Sequence, residues 1–478
     1  YFQLRVGGDI AAVKGIMKHV IAQDDALGQG GGGVLDHAFI AEHTTGFEAL
    51  AEDLRAEDWG LLEAESGLSR AQMQTAAEVY IAARSTIVCW GMGITQHMHS
   101  VAAVQMLVNL LLLRGNIGRP GAGACPVRGH SNVQGDRTMG IYEKPSAAFL
   151  DRLREVYGFE PPRHEGLDTI GAIEAMRDGR ASVFFAMGGN FAAATPDTPT
   201  TWAALQGCAL TVHVATKFNR SHTVHGCAAL VLPCLGRTEV DHQASGPQHI
   251  SVEDSMSMVH LSAGINAPAS PHLLSEPAIV ARLAAATLPH SRVPWLWLVE
   301  DYGRIRDHIA QVFDEFADFN HKVHRPGGFR LHNTASERVW ATASGRAQFA
   351  VHGIPTDTVV HRAQRRSGHG ATEVFTLTTV RAHDQYNTTV YGLDDRYRGV
   401  FGQRRVVFVN AQDRVRAGLA EGAWVDLVGA APDGNPDQEY NEAYVSRMAR
   451  INSLAGDEFN RGLRSYYFGI ASVTWMIH

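Results

Sequence analysis

The segment Cys125–Gly140, CPVRGHSNVQGDRTMG, gathers Arg128, His130, Asn132, Gln134 and Gly135 with almost no apolar side chain among them. Guanidinium, imidazole and carboxamide groups between glycines make a donor-rich surface with no hydrophobic anchor. Buried, it needs a polar ligand to satisfy its donors; unburied, it is a solvated loop. Three further clusters have similar chemistry. WGMGITQH supplies Gly91, Gly93, Thr95, Gln96 and His97, suited to a phosphate or a heterocycle edge and equally to a tight turn. GGN with ATPDT supplies Gly189, Asn190 and Asp197, the last either accepting a ribose hydroxyl or capping a helix. TKFNRSH supplies Thr216 and Lys217, with Lys217 and Arg220 able to neutralise a pyrophosphate or to lie in a solvated basic turn.

Other chemistries find no motif. Of the 24 histidines none falls in an H-E-x-x-H pattern, and there is no Walker loop, G-x-S-x-G elbow or isolated G-x-G-x-x-G. The five cysteines form no C-x-x-C pair, so neither a disulfide framework nor a zinc or iron–sulfur motif is read from them. Cys125 reads as a packed thiol. A net charge of -7 gives no global basic field for nucleic acid or anionic membranes, and no apolar run reaches the roughly eighteen residues of a membrane span. The reading is a cytoplasmic protein acting on a small molecule.

Elements must hold these clusters. At 478 residues, 45% apolar and 19% charged, the chain is expected to be globular with about three domains. Residues 9–28 place Ile10, Val13, Met17, Val20 and Ile21 at helical spacing, with Asp9 as N-cap and Gly28 as stop. Residues 101–113 form a second, buried helix ending at Arg114-Gly115. Short β-rich runs at Thr86–Trp90, in ASVFFAM and in ALTVHVA each end in one of the clusters. Strands alternating with helices give a parallel, doubly wound α/β sheet, which binds ligands beyond the carboxyl ends of its strands. A basic linker at 355–371 leads to a small β domain from about 372, where NAQDRVRAGLAEGAWVDLV reads as helix, turn at Gly422, strand.

Taken in order, CWGMGITQH, NLLLLRGNIGRPGAGACPVRGHSNVQGDRTMG, MGGNFAAATPD, VHVATKFNRSH, LPCLGRTEVD and SMSMVHLSAG resemble the molybdopterin oxidoreductases of the dimethyl sulfoxide reductase superfamily. The likeness is to formate-dehydrogenase-like alpha subunits and covers about residues 4–430. It implies the C-terminal part of an α/β dinucleotide-binding domain at 1–135 and a second α/β cofactor-binding domain at 136–355, both with doubly wound, mostly parallel sheets. A linker at 356–371, a double-psi β-barrel capping domain at 372–435 and an atypical tail at 436–478 follow. That tail reads as the beginning of a hydrophobic helix, faintly similar to an uncharacterised bacterial membrane-protein family.

The resemblance implies two molybdopterin guanine dinucleotides holding one molybdenum or tungsten, and two-electron oxidation of a small carboxylate, formate first, at that metal. Arg128 would orient the carboxylate and His130 assist with a proton, although the better-known formate dehydrogenases carry an amide where His130 stands. Asn132, Gln134 and Gly135 would meet the pterin edge. Gly91, Gly93, Thr95, Gln96 and His97 would line one dinucleotide, and Gly189, Asn190, Asp197, Thr216 and Lys217 the other. In TVRAHDQYNTTVYG, Arg381, His383 and Tyr386 would close over the cofactor. The family's iron–sulfur cysteines and its metal-binding cysteine or selenocysteine belong to an N-terminal region not seen in this sequence. A 4Fe-4S cluster is therefore expected only there, no metal ligand is assigned, and an electron-transfer partner subunit is compatible. The second reading is a non-catalytic homologue that binds the pterin or serves as a scaffold; the third is reduction of an oxyanion such as nitrate.

Overall fold

The computed structural model describes residues 1–28, 33–128, 132–195, 197–358, 360–361, 375, 377–380, 393–403, 405–427, 446–454 and 474–477. It forms two compact units, Tyr1–Val127 with Asn333–His478, and Arg128–His332.

In the first unit the helix Asp9–Leu27 is the central rod of the core. Its Met17, Val20 and Ile21 pack with Leu50 and Leu54 of the helix Phe47–Ala56, Ala77 and Tyr80 of Arg70–Ala82, and Met106 and Leu113 of Ser100–Leu113. Burying each of the Leu, Ile, Val and Met side chains stabilises the unit by about 1.5–3 kcal/mol. The N-cap is Gly8, which corrects the assignment of that role to Asp9; Gly28, at φ 77°, ends the helix as its sequence indicates. Lys14 is wholly buried on this helix, and its ammonium is paired with Asp53 at 2.8 Å and with Glu57. Beside the helical core, Ile87–Trp90 runs parallel to Gly123–Pro126.

The second unit is built on three parallel strands in chain order, Val183–Met187, Leu210–Ala215 and Ala228–Pro233. Helices Thr169–Arg177 and Thr198–Gln206 pack on it through Ile173, Met176, Leu205 and Phe184. An antiparallel sheet joins Ile250–Glu253, Met258–Ser262 and Phe329–Arg330. Its Val259 packs on Phe316, Phe319 and Val323.

Toward the C-terminus, Val406–Asn410 is parallel to Ser446–Leu454 and Thr474–Ile477, while Leu377–Val380 and Trp424–Leu427 run antiparallel to their neighbours. The helix Ala411–Arg416 and the strand from Trp424 follow the pattern read from the sequence. Thr474–Ile477 is a strand, which corrects the reading of those residues as part of a helix. Its Thr-Trp-Met-Ile composition suits a pleated surface as well as a helix face, and pairing with Val407–Val409 decides between them.

Candidate functional site

The loop that opens the second unit is organised from within. Asn132 adopts the left-handed conformation at φ 66°, which asparagine tolerates better than most residues, and the helix Val133–Thr138 starts directly after it. A Cβ on Gly135 would lie 1.9 Å from Asn132 Oδ1, so a larger residue there would displace the Asn132 carboxamide. Asn132 Oδ1 accepts from the Glu253 backbone N–H at 2.9 Å. Gln134 Nε2 donates to Glu253 Oε1 and to the Asp254 carbonyl, both at 3.1 Å, and Thr138 Oγ1 donates to Glu253 Oε2 at 2.5 Å. The Arg128 backbone N–H donates to Ser255 Oγ at 3.0 Å. This corrects the expectation that a ligand must satisfy these donors, because Glu253, 7% exposed, and its two neighbours already do much of it. Sequence reasoning missed Glu253, since nothing in ISVE distinguishes a buried carboxylate from a solvated one.

Arg128 itself stays exposed. Its Nε donates to Gln134 Oε1 at 3.0 Å, while its two terminal nitrogens have no protein partner among the described residues. A guanidinium held at Nε and open at its outer edge can take a carboxylate in two parallel hydrogen bonds. His130 lies outside the described residues.

At the carboxyl edge of the three-stranded sheet, Gly188 and Gly189 are consecutive left-handed residues at φ 68° and 73°. Nothing lies within 4 Å of where either Cβ would sit, so the turn presents bare backbone to open space. Asn219 Nδ2 donates to the Gly189 carbonyl at 2.7 Å, and its Oδ1 accepts from the Ser221 N–H at 3.0 Å. Ser221 Oγ donates to Asn190 Oδ1 at 3.1 Å and accepts from the Ala192 N–H at 3.0 Å. The turns after two adjacent strands are thus tied into one rim. Asn219 and Ser221 were missed because TKFNRSH draws attention to its cations.

Thr216 and Lys217 are exposed just past the strand Leu210–Ala215, and Lys217 has no ion-pair partner among the described residues. Phe218 beside them is 77% exposed. Asp197, at φ 54°, accepts from the Thr200 N–H at 3.1 Å, which is the helix-capping role of the two open to it. Under the rim His213 is 3% exposed, and burial, with His222 next to it, pushes its imidazole below the usual range.

In the first unit the strand Ile87–Trp90 leads into Gly91, in extended backbone, and a single helical turn Met92–Thr95 whose Ile94 N–H bonds the Gly91 carbonyl at 3.1 Å. Gly93 lies inside this turn, Thr95 and Gln96 are exposed, and His97 is half-buried. His97 lines a cleft of about 60 Å³ with Asp9, His99 and Asp357. The space suits one or two waters and is far below the roughly 300 Å³ at which small-molecule pockets begin. Burial raises the Asp9 carboxyl, which His97 partly offsets, and His99 Nε2 bonds Asp357 Oδ1 at 2.7 Å. Asp9, His99 and Asp357 carry no signal in a sequence read for strand-end turns. Arg381, His383 and Tyr386 lie outside the described residues, among which no cluster of three or more histidine, cysteine or acidic residues could hold a metal ion. Nor is any helix among them long and apolar enough to cross a membrane.

Comparison with known proteins gives these arrangements a context. The molybdopterin oxidoreductase family matches residues 9–242, and a family described as a protein of unknown function, DUF599, matches residues 424–478. Protein YdeP of Escherichia coli K12 is 48% identical over 469 residues, which is 98% of this chain and 60% of that protein. An uncharacterised oxidoreductase of Mycobacterium tuberculosis H37Rv is 49% identical over 436 residues, 91% of this chain and 54% of the relative. The chain therefore spans between half and two thirds of the length of these relatives. Formate dehydrogenase H of Escherichia coli K12 is 36% identical over 140 residues, 29% of this chain and 18% of that enzyme. Acetylene hydratase from Pelobacter acetylenicus superposes with a TM-score of 0.62 at 13% identity, covering 99% of this chain and 63% of that structure, which is a likeness of fold.

Proposed function

Because the chain belongs to the molybdopterin oxidoreductase family, we propose that it binds a molybdopterin guanine dinucleotide at the Gly189–Asn190 and Thr216–Lys217 rim and oxidises a small carboxylate, formate first, held by Arg128. The observation that carries the reading is the bare left-handed pair Gly188–Gly189, with open space where both side chains would stand and the exposed Lys217 on the neighbouring strand end. The Gly188 N–H is taken by the Val214 carbonyl at 2.8 Å, so it is the exposed Gly189 backbone beside a cation that suits a pyrophosphate. The residues present therefore fit the group. Asn190 and Asn219 would set the rim, Lys217 would neutralise phosphate, and the exposed Phe218 ring offers a face for guanine. Gly91, Thr95, Gln96 and His97 would meet a second dinucleotide.

When bound, the pterin-held molybdenum or tungsten supplies the two-electron redox centre. The chain's own contribution at the substrate is positional. Glu253 fixes Gln134, Gln134 fixes Arg128 Nε, and the two terminal guanidinium nitrogens donate to the two carboxylate oxygens. The resemblance gives His130 the role of holding or releasing the proton. The two electrons leaving the substrate would need an acceptor, which a partner subunit would provide.

Two charge-assisted hydrogen bonds contribute about 3 kcal/mol or more, so Arg128→Ala should lower kcat/KM for formate-dependent dye reduction by more than about a hundredfold. Pterin content should remain near that of the parent protein. Parallel loss of pterin would make Arg128 a cofactor ligand instead, and unchanged turnover would remove it from the site.

A further inference from the structure

Cys89 and Cys125 are separated by 36 positions in the sequence and meet on neighbouring strands. In the parallel pair Ile87–Trp90 and Gly123–Pro126 they are Cα partners in register, so their side chains leave the same face of the sheet. Neighbouring strands are about 4.8 Å apart, inside the roughly 4.4–6.8 Å Cα separation that disulfides span. The Cys89 side chain is near enough to contribute to the upward shift of the Cys125 thiol. Cys89 is exposed and Cys125 half-buried, and neither is in a disulfide. Of the other three cysteines, all in the second unit, Cys208 and Cys234 are buried and Cys227 is exposed.

We propose that Cys89 and Cys125 are a thiol–disulfide exchange site that takes low-molecular-weight disulfides, of which glutathione disulfide is the type. The Cys89 thiolate attacks one sulfur of the small disulfide, forming a protein mixed disulfide and releasing one small thiolate. The Cys125 thiolate then attacks the Cys89 sulfur, forming the Cys89–Cys125 bond and releasing the second small thiolate. Two protein thiols are oxidised, one small disulfide is reduced to two thiols, and the two protons pass to the leaving thiolates. Exposure fixes the order, because the incoming disulfide reaches Cys89 and the second step is intramolecular. Burial raises the Cys125 thiol above its ordinary range, so the closing step quickens with rising pH while the first depends on Cys89. The resulting bond would cross-link the two strands one residue before Trp90 and one before Pro126, at the base of the Gly91–His97 turn. It is independent of the function proposed above, since no step in it involves pterin or formate.

The test is incubation of the full, natively folded chain with glutathione disulfide near pH 8, an alkylating quench and peptide mapping by mass spectrometry without reduction. The expected result is a cross-linked peptide pair containing Cys89 and Cys125, no glutathione retained on Cys89, and a persistent glutathione adduct on Cys227. Cys125→Ser should stop the reaction at a glutathione adduct on Cys89. A stable adduct on Cys89 in the parent chain would overturn the proposal, as would unreacted Cys89 in a sample where Cys227 is modified. Because both results come from the unsubstituted protein, misfolding of the variant cannot obscure them.

Discussion

Gly189→Ala separates the cofactor claim from ordinary strain, because the second unit contains its own control. Gly179, in the turn that precedes the strand Val183–Met187, has φ 73°, identical to Gly189, and likewise nothing within 4 Å of where its Cβ would sit. Alanine in the left-handed region costs about 1–2 kcal/mol, offset by about 0.4–1 kcal/mol from the less flexible unfolded chain. Both variants should therefore lose about 1 kcal/mol of stability, read as nearly equal drops in Tm. The methyl groups differ only in where they project, Gly189 at the carboxyl edge and Gly179 at the opposite end of the sheet. A methyl intruding on a packed ligand costs about 1–3 kcal/mol, which is roughly a fivefold to hundredfold loss of affinity. Pterin content after extensive dialysis should thus fall in Gly189→Ala and hold in Gly179→Ala. Equal pterin content in the two, or equal loss, would refute the placement of the cofactor at this rim.

The remaining expectations concern the parts that hold the site. Glu253→Ala strands the Gln134 amide and the Thr138 hydroxyl, each bonded to a charged oxygen, and should cost about 3 kcal/mol in urea unfolding; a change below about 1 kcal/mol would mean the loop does not depend on that carboxylate. Glu253→Gln leaves one acceptor oxygen where Gln134 and Thr138 use two, so it loosens the chain that aims Arg128 and should raise KM for formate; an unchanged KM would show that this chain does not position the guanidinium. For His213 the folded pKa lies below the unfolded one, so the unfolded state binds more protons; stability is complete above about pH 6.5 and declines below it by at most about 1.4 kcal/mol per pH unit. His213→Phe should flatten that acid limb in a pH series of thermal melts, and an unchanged limb would assign it to other groups.

Local physics made the scaffold legible. The apolar spacing of Ile10 to Ile21 and the glycine at 28 are short-range signals, and the helix Asp9–Leu27 ends where they say. Likewise the β-branched runs at Ile87–Trp90, Val183–Met187 and Leu210–Ala215 terminate in the polar turns nominated from the sequence. What was illegible is non-local. Glu253 reaches Gln134 across 119 positions and Asn219 reaches Gly189 across 30, and neither partner has a composition that reveals the other. The donor-rich loop consequently looked as though it awaited a ligand when a distant carboxylate already met much of its demand. Asp9 misled for the opposite reason, since an acidic residue at a helix start looks like a cap whether it caps or faces a cleft.

The most direct test of the account is mass spectrometry of the cofactor released from the purified native protein by acid and oxidation. A pterin bearing guanine dinucleotide, in a ratio of two to each molybdenum or tungsten atom, is the predicted result. Protein that yields no pterin, or a pterin without its nucleotide, would contradict it.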